Sequence, residues 1–217
     1  MQRQDGVLRL GALGSFLVAA AIVVASVLFA LSQASATEET TEALSDIQRG
    51  RGFWLLAHIA FLAISLFLAP VVPALYVAHR AAHPAAARLG FVAWVGAIPA
   101  TVLPVALAIA LVPLSDRFVG AGTGRAVVLP AAEAVRMALL VGFGAMGILI
   151  GGGTALFGLA MVRGAWPSWL GWLGVIGGVM FAVGAALPPL ILLFVLANVL
   201  GTIWFFAVGL RLYRERG

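Results

Sequence analysis

The chain has 217 residues, of which 63% are hydrophobic and 10% are charged, and its mean hydropathy is +1.12. Soluble domains carry about 25% charged residues, so the composition excludes an ordinary soluble protein. The absence of cysteine excludes disulfides, thiolate metal sites and cysteine nucleophiles. The net charge of +5 comes from 13 arginines. They lie at the ends of apolar runs and never form a basic run, so no nucleic-acid partner is expected.

Six apolar runs follow one another along the chain, at residues 10–31, 53–77, 89–112, 134–162, 168–187 and 190–212. Each is close to the ~20 residues that a helix needs to cross a bilayer, and only helices satisfy their backbone groups within one segment in lipid. The sequence therefore predicts an all-α, polytopic membrane helix bundle with six transmembrane helices, forming a single domain over residues 1–217.

The first run resembles a signal peptide, because a basic segment precedes it and Ala34, Ser35 and Ala36 follow it. Its length of about 22 residues exceeds the 7–15 residues of a signal-peptide core. We therefore expect a retained helix.

The arginines predict the orientation. If the N-terminus is inside, eight arginines lie in inner segments and five in outer loops. The inner eight are Arg3, Arg9, Arg80, Arg88, Arg163, Arg211, Arg214 and Arg216. Cytoplasmic segments carry an excess of basic residues, so both termini are predicted to be cytoplasmic, with the chain in a cell inner (plasma) membrane.

Two outer loops are long enough to have structure. The acidic loop 32–52 places Ser35 three residues before Glu38, the spacing of a capping box, which predicts a short exposed helix closed by Gly50. Residues 113–135 are rich in glycine and are predicted to fold irregularly over the outer surface. Glu133 and Arg136 follow at a spacing of three residues and are predicted to form a salt bridge.

Small residues form stripes on two predicted helices. On the helix over 168–187 the stripe holds Gly171, Gly174, Gly178, Ala182 and Ala185, opposite a face with Trp169 and Trp172. On the helix over 134–162 it holds Gly144, Gly147, Gly151, Ala155 and Gly158. Such stripes indicate close helix packing, with the tryptophans at the membrane interface. The alternatives are a tryptophan cage for a cationic ligand and an unwound helix at residues 151–154, as in transporters.

Five polar residues within the spans are candidate ligand-binding residues: His58, Thr101, Thr154, Asn198 and Thr202. An intramembrane histidine is a functional candidate by default, but His58 could instead form a hydrogen bond with a neighbouring helix. Asn198 and Thr202 share one face of the sixth span, where they could bind a ligand or tie helices together. Pro99, Thr101 and Pro104 interrupt the third span, which predicts that this span lines any internal cavity.

His79 and His83 are weak candidates for a metal site. Their spacing of four residues suits two ligands on one helix, but no carboxylate or third histidine is near them in the sequence. Solvated histidines at the membrane interface are the favoured interpretation. No cofactor is expected. No span contains an acidic residue and no catalytic constellation is evident, so an enzyme is not expected.

The segments "LFGLAMVRGAWPSWLGWLGVIGG" and "NVLGTIWFFAVGLR" resemble a family of bacterial six-span membrane proteins classed as a domain of unknown function. The shared features are "ALYVAHR" at the end of span two, the Pro167-to-Gly171 entry to span five, and Trp204 with Gly209 in span six. Many members of that family carry an acidic residue six positions before this tryptophan, where this chain has Asn198. Because the family has no assigned activity, the resemblance implies architecture alone.

These observations predict a non-enzymatic bundle that binds a lipid or another apolar ligand, or that serves as an accessory subunit of a membrane complex. Membrane lipids and further copies of the chain are the expected partners. The alternative is a small secondary transporter whose site is lined by transmembrane helices 3 and 4. A weak repeat, in which residues 74–96 resemble residues 155–177, motivates that alternative.

Overall fold

The computed structural model describes residues 2–32 and 39–215. They form eight α-helices: α1 (Gln2–Ser32), α2 (Thr40–Arg49), α3 (Arg51–His79), α4 (Pro84–Ala100), α5 (Val102–Gly120), α6 (Arg125–Val162), α7 (Ser168–Ala186) and α8 (Ile191–Arg214). Short 3₁₀ turns, Gly122–Gly124 and Pro188–Leu190, precede α6 and α8. No β-strand occurs within the described ranges, so the all-α prediction is confirmed.

Six helical segments in these ranges are long and apolar enough to cross a membrane: Asp5–Ser32, Arg51–His79, Pro84–Gly120, Arg125–Val162, Ser168–Ala186 and Ile191–Arg214. Their number and order agree with the prediction. The irregular outer loop predicted for residues 113–135 is wrong, because α5 continues to Gly120 and α6 begins at Arg125. The break is confined to the cluster of glycines between these helices, where Gly122 has a φ of +50°, a conformation that glycine adopts without strain.

The third span consists of α4 and α5, which meet at Thr101. The prolines at 99 and 104 lack an N–H donor, so two helical hydrogen bonds are missing, one on either side of this point, although Thr101 N still donates to Ala97 O. The predicted interruption is thus confirmed. Thr101 Oγ1 donates to Ala97 O over 2.9 Å, so the hydrogen in its 2.6 Å contact with Ser65 Oγ comes from Ser65. This buried pair joins the break to α3.

The spans pack in a closed ring. α1 packs on α3 and α8, α3 packs on the α4–α5 span, that span packs on α6, α6 packs on α7, and α7 packs on α8. Arg163, in the α6–α7 connection, contacts His83 in the α3–α4 turn, and Trp166 donates to Glu215 near the chain end. We call the end of the ring where these two contacts lie the terminal end. The opposite end, where α2 lies, is the α2 end.

Close packing of α6 on α7 confirms the predicted small-residue stripes. A Cβ added at Gly158 would come within 2.6 Å of Gly171 O, and one added at Gly178 within 2.6 Å of Ala155 N. Trp169 and Trp172 lie on the opposite face of α7 and are 57% and 51% exposed, so they do not form an internal cage. The unwound-helix alternative for residues 151–154 is wrong, because α6 is continuous through them.

Three buried tryptophans form hydrogen bonds between helices that the sequence analysis did not predict. Each indole N–H donates to a backbone carbonyl of another span over 2.9–3.0 Å: Trp54 to Ala108, Trp94 to Ile150, and Trp204 to Leu170. A buried indole requires an acceptor, and these bonds link α3 to α5, α4 to α6, and α8 to α7.

The predicted short helix in the outer loop is present as α2, and it ends at Gly50 as expected. Ser35 and Glu38, the predicted capping box, lie outside the described residues. The helix is not simply exposed, because Ala43, Leu44 and Ile47 are buried against the bundle. Its apolar face therefore covers the α2 end of the ring.

The predicted salt bridge between Glu133 and Arg136 is not among the ion pairs found between described residues. Among the described residues the ion pairs are Arg49 with Asp46 and Arg51 with Asp116. Arg136 Nη1 instead donates to Thr40 Oγ1 at the start of α2 over 3.3 Å, while Glu133 is exposed. Arg136 therefore reaches the start of α2.

Candidate functional site

Two cavities lie between the spans along the axis of the ring. The larger, which we call the α2-end cavity, has a volume of about 100 Å³, measured as the space that the centres of water molecules can reach. The smaller, which we call the middle cavity, has about 50 Å³ by the same measure. One water needs roughly 10–15 Å³ on this scale, so the α2-end cavity has room for a molecule much larger than water.

The wall of the α2-end cavity is almost entirely apolar. Two ionisable side chains are among its described lining residues, His58 and Arg136. The others are Phe29, Ala43, Ile47, Trp54, Phe61, Leu111, Leu139, Leu140, Phe143, Gly184, Ala185, Ile191 and Phe194. Ala43 and Ile47 belong to the buried face of α2, so this helix closes one end of the cavity.

Aromatic rings surround His58 inside this wall. Its ring centroid is 4.3 Å from that of Trp54, 5.5 Å from that of Phe29 and 6.3 Å from that of Phe61. Phe61 also packs edge-on against Phe143 at 5.3 Å, and it lines both cavities. A layer of phenylalanine rings therefore separates the α2-end cavity from the middle cavity.

His58 is 1% exposed, and its Nδ1 lies 2.8 Å from Trp54 O, one turn earlier in the same helix. The predicted hydrogen bond to a neighbouring helix is therefore wrong. A carbonyl oxygen accepts and cannot donate, so Nδ1 carries the hydrogen. In a neutral imidazole the other ring nitrogen, Nε2, is then an acceptor.

Arg136 is the single charged residue among the described lining residues of the α2-end cavity. Its guanidinium is held at the α2 end by the hydrogen bond to Thr40. A guanidinium donates hydrogen bonds and accepts none.

Two of the predicted site residues, Thr154 and Asn198, line the middle cavity together with Ser65. Their hydrogen bonds stay within their own helices: Thr154 Oγ1 donates to Ile150 O over 2.7 Å, and Asn198 Nδ2 donates to Phe194 O over 2.8 Å. Thr202 Oγ1 likewise donates to Asn198 O. The predicted role of Asn198 and Thr202 in tying helices together is therefore not supported by these bonds.

The third span, the predicted wall of any internal cavity, contributes little to these two cavities. Among the described lining residues of the two cavities, this span contributes Leu111 alone. Ser65 closes the break at Thr101 from the side of α3, so the predicted site residue Thr101 does not line either cavity. Nearer the terminal end of the same span, Trp94 fills the axis.

Four aromatic residues fill the axis at this point: Trp94, Phe157, Trp204 and Phe205. The centroid of Trp94 is 5.0 Å from that of Phe157 and 5.8 Å from that of Phe205, and Trp204 lies 4.9 Å from Phe205. All four are buried. The ring of helices is therefore filled on the terminal side and hollow on the α2 side.

The histidines at the terminal end are not the solvated pair that the sequence predicted. His79 is buried and packs edge-on against Trp166, with centroids 4.6 Å apart. His83 Nε2 lies 3.2 Å from Arg163 Nη1. Because a guanidinium only donates, Nε2 of His83 accepts and Nδ1 carries the hydrogen.

That protonation state disfavours a metal pair, because a protonated nitrogen cannot coordinate a cation. His79 Nε2 and His83 Nδ1 are buried without a hydrogen-bond partner. No group of three or more histidine, aspartate or glutamate residues in the described ranges could hold a metal ion. The terminal end therefore offers a weaker site than the α2-end cavity.

Comparisons with protein-family models, curated proteins and solved structures find no significant match to this chain. The resemblance to a six-span bacterial family therefore stays a prediction from the quoted motifs. Function must be argued from the geometry of the cavities.

Proposed function

We propose that the protein binds an apolar molecule in the α2-end cavity. The observation that carries this proposal is the space itself, which has about 100 Å³ for the centres of water-sized molecules and a wall of aliphatic and aromatic side chains. Small-molecule sites are typically concave and mostly apolar, with a few polar groups that fix orientation. His58 and Arg136 are the two ionisable groups that could do so.

The position of α2 supports the same proposal. Its buried residues Ala43 and Ile47 face the cavity, while Asp46 and Arg49 pair with each other on the helix. An amphipathic helix over a hollow can exclude water from a bound apolar molecule. Burial of apolar surface is the dominant favourable term in such binding.

Transport, the alternative function, has less support. The continuous α6 removes the unwound segment that motivated it, and the buried aromatic residues on the terminal side fill the axis of the ring. Association with membrane lipids, with further copies of the chain or with a larger membrane complex stays a prediction.

We also propose a location for this multi-pass protein in the plasma membrane of a bacterium, with both termini in the cytoplasm. The eight-to-five distribution of arginines supports this orientation. The terminal end would then face the cytoplasm, and α2 and the cavity beneath it would lie in the outer half of the membrane.

Photolabelling tests the proposed binding. The protein is reconstituted in lipid vesicles, exposed to an alkyl diazirine and irradiated, and the labelled residues are mapped by mass spectrometry. We expect adducts on the cavity-lining residues Trp54, Phe61 and Leu139, in addition to adducts on lipid-facing residues such as Leu56, Ile59 and Val141.

Two variants with the same substitution on one helix provide the control. Leu139 is 6% exposed and lines the cavity, whereas Leu159 is 42% exposed. Leu139→Trp should fill the cavity and remove its adducts, and Leu159→Trp should leave them unchanged. Labelling confined to lipid-facing residues in the wild type, or cavity adducts that persist in a folded Leu139→Trp protein, would contradict the proposed function.

A further inference from the structure

We infer that the ligand of the α2-end cavity carries a neutral hydroxyl group on an apolar body, as in an alcohol or a phenol, and that this O–H donates to Nε2 of His58. The inference rests on the proposed function and assigns a ligand class to the same cavity. The polar atoms of the wall that already form hydrogen bonds within the protein determine this ligand class.

The first step is the hydrogen on His58. Nδ1 faces Trp54 O at 2.8 Å and must be the donor of that hydrogen bond. Nε2 lies on the edge of the ring away from this carbonyl and has a lone pair. A group that binds Nε2 must therefore provide a hydrogen.

The second step is that the aromatic residues around His58 have no free donor for its Nε2. The indole N–H of Trp54 is already donated to Ala108 O over 2.9 Å, and Phe29 and Phe61 present only rings. Arg136 can donate elsewhere in the wall, but a ligand that can only accept, such as an ether or a ketone, would leave Nε2 of His58 unpaired in an apolar space.

The third step is charge. A cationic donor, such as an ammonium group, would lose its hydration in a wall that is almost entirely apolar. A carboxylate has no hydrogen to donate to Nε2. A neutral hydroxyl is the donor that avoids both penalties.

The fourth step is the shape of the apolar part. Phe29, Trp54 and Phe61 place their centroids within 6.3 Å of the His58 ring on several sides. Aromatic side chains pack well against a flat ring in offset or edge-on arrangements, so a phenol with a short alkyl chain suits this wall.

The test uses two isomers of equal size, 4-butylphenol and 4-propylanisole, which differ in having or lacking an O–H donor. Binding of the tritiated compounds to protein in lipid nanodiscs is measured by equilibrium dialysis at neutral pH. Empty nanodiscs correct for partition into lipid. Wild type is compared with His58→Phe, which keeps an aromatic ring and removes the acceptor.

We expect wild type to bind the phenol on the order of tenfold more tightly than the ether, as for one net hydrogen bond. The preference should disappear in His58→Phe. His58→Gln, whose amide oxygen can accept, should restore part of it, and it serves as the second variant if the phenylalanine protein does not fold.

A direct measurement on wild type does not depend on the variants. In protein labelled with ¹⁵N-histidine, the shifts of the His58 ring, assigned by their loss in His58→Gln, should show hydrogen on Nδ1 and a lone pair on Nε2. Added 4-butylphenol should move the Nε2 resonance, and 4-propylanisole should not.

Equal binding of both isomers, or a phenol preference that persists in His58→Phe, would overturn the inference and leave the proposed apolar binding in place. Hydrogen on Nε2 of the free protein would also overturn it. If neither isomer binds and the alkyl diazirine does not label the cavity, the proposed function itself fails.

Discussion

Adjacent glycines in α6 provide a stringent test of the packing around the axis. A Cβ added at Gly153 would overlap the indole of Trp94 and lie 2.6 Å from its Nε1, whereas one added at Gly152 would have nothing within 4 Å. The same glycine-to-alanine change therefore tests the contact with Trp94 at position 153 and open space at position 152.

The expected free energies follow from the contacts. Alanine in place of glycine inside a helix is favoured by up to about 1 kcal/mol, so Gly152→Ala should be neutral or slightly stabilising. At Gly153 the same gain is outweighed. Trp94 is fully buried, overpacking costs ~1–3 kcal/mol, and loss of the Trp94 hydrogen bond to Ile150 O adds ~1 kcal/mol.

We therefore expect Gly153→Ala to be less stable than Gly152→Ala by roughly 2–4 kcal/mol. Gly151→Ala should lose at least as much, because its Cβ would lie 2.7 Å from the backbone nitrogen of Ala182 in α7. Thermal unfolding in one detergent, followed by circular dichroism, ranks the three variants. If Gly153→Ala is as stable as Gly152→Ala, the placement of Trp94 between α4 and α6 is incorrect.

Four further predictions test other parts of the fold. Gly178→Leu should disrupt the α6–α7 contact and lower thermal stability in detergent, while Trp172→Leu on the exposed face should be mild; the reverse ranking would mean that the two faces are misassigned. Trp204→Phe should cost roughly 0.5–1.5 kcal/mol in chemical unfolding, because it removes the bond to Leu170 O, and an unchanged midpoint would contradict that bond. His58→Leu should cost little, at most about 1 kcal/mol, because the lost hydrogen bond lies within one helix; a loss near 3 kcal/mol would show that the histidine holds two helices together. Reporter fusions should place the C-terminus in the cytoplasm, and a periplasmic signal would refute the orientation.

The features that could be predicted from the sequence depend on local patterns. Apolar runs near 20 residues identified the six spans, because the bilayer thickness fixes helix length. The small-residue stripe through Gly171 and Gly178 identified the contact face of α7, because the helical period alone determines which residues share a face. Gly50 marked the end of α2, because glycine commonly follows the last residue of a helix.

The features that were missed or wrongly predicted depend on contacts between distant residues. The sequence identified His58 as a candidate, but not the direction in which Nδ1 faces. It did not pair Ser65 with Thr101 across 36 positions, nor Trp54 with a carbonyl 54 positions away. Burial of His79 depends on Trp166, which comes from a different turn, so no local pattern could predict it.

The difference between the two halves of the ring explains why the cavity lies at the α2 end. On the terminal side, Gly153 and Gly174 leave room for the indoles of Trp94 and Trp204, which fill the axis. At the α2 end, the N–H of Trp54 is bonded to Ala108 O in the neighbouring span, and the indole forms part of the cavity wall. Tryptophan side chains thus fill the axis in one half of the ring and line a cavity in the other half. Because interiors of proteins are close-packed and voids larger than water are few, a hollow that is lined by aromatic rings and covered by an amphipathic helix supports the proposal that an apolar molecule binds there.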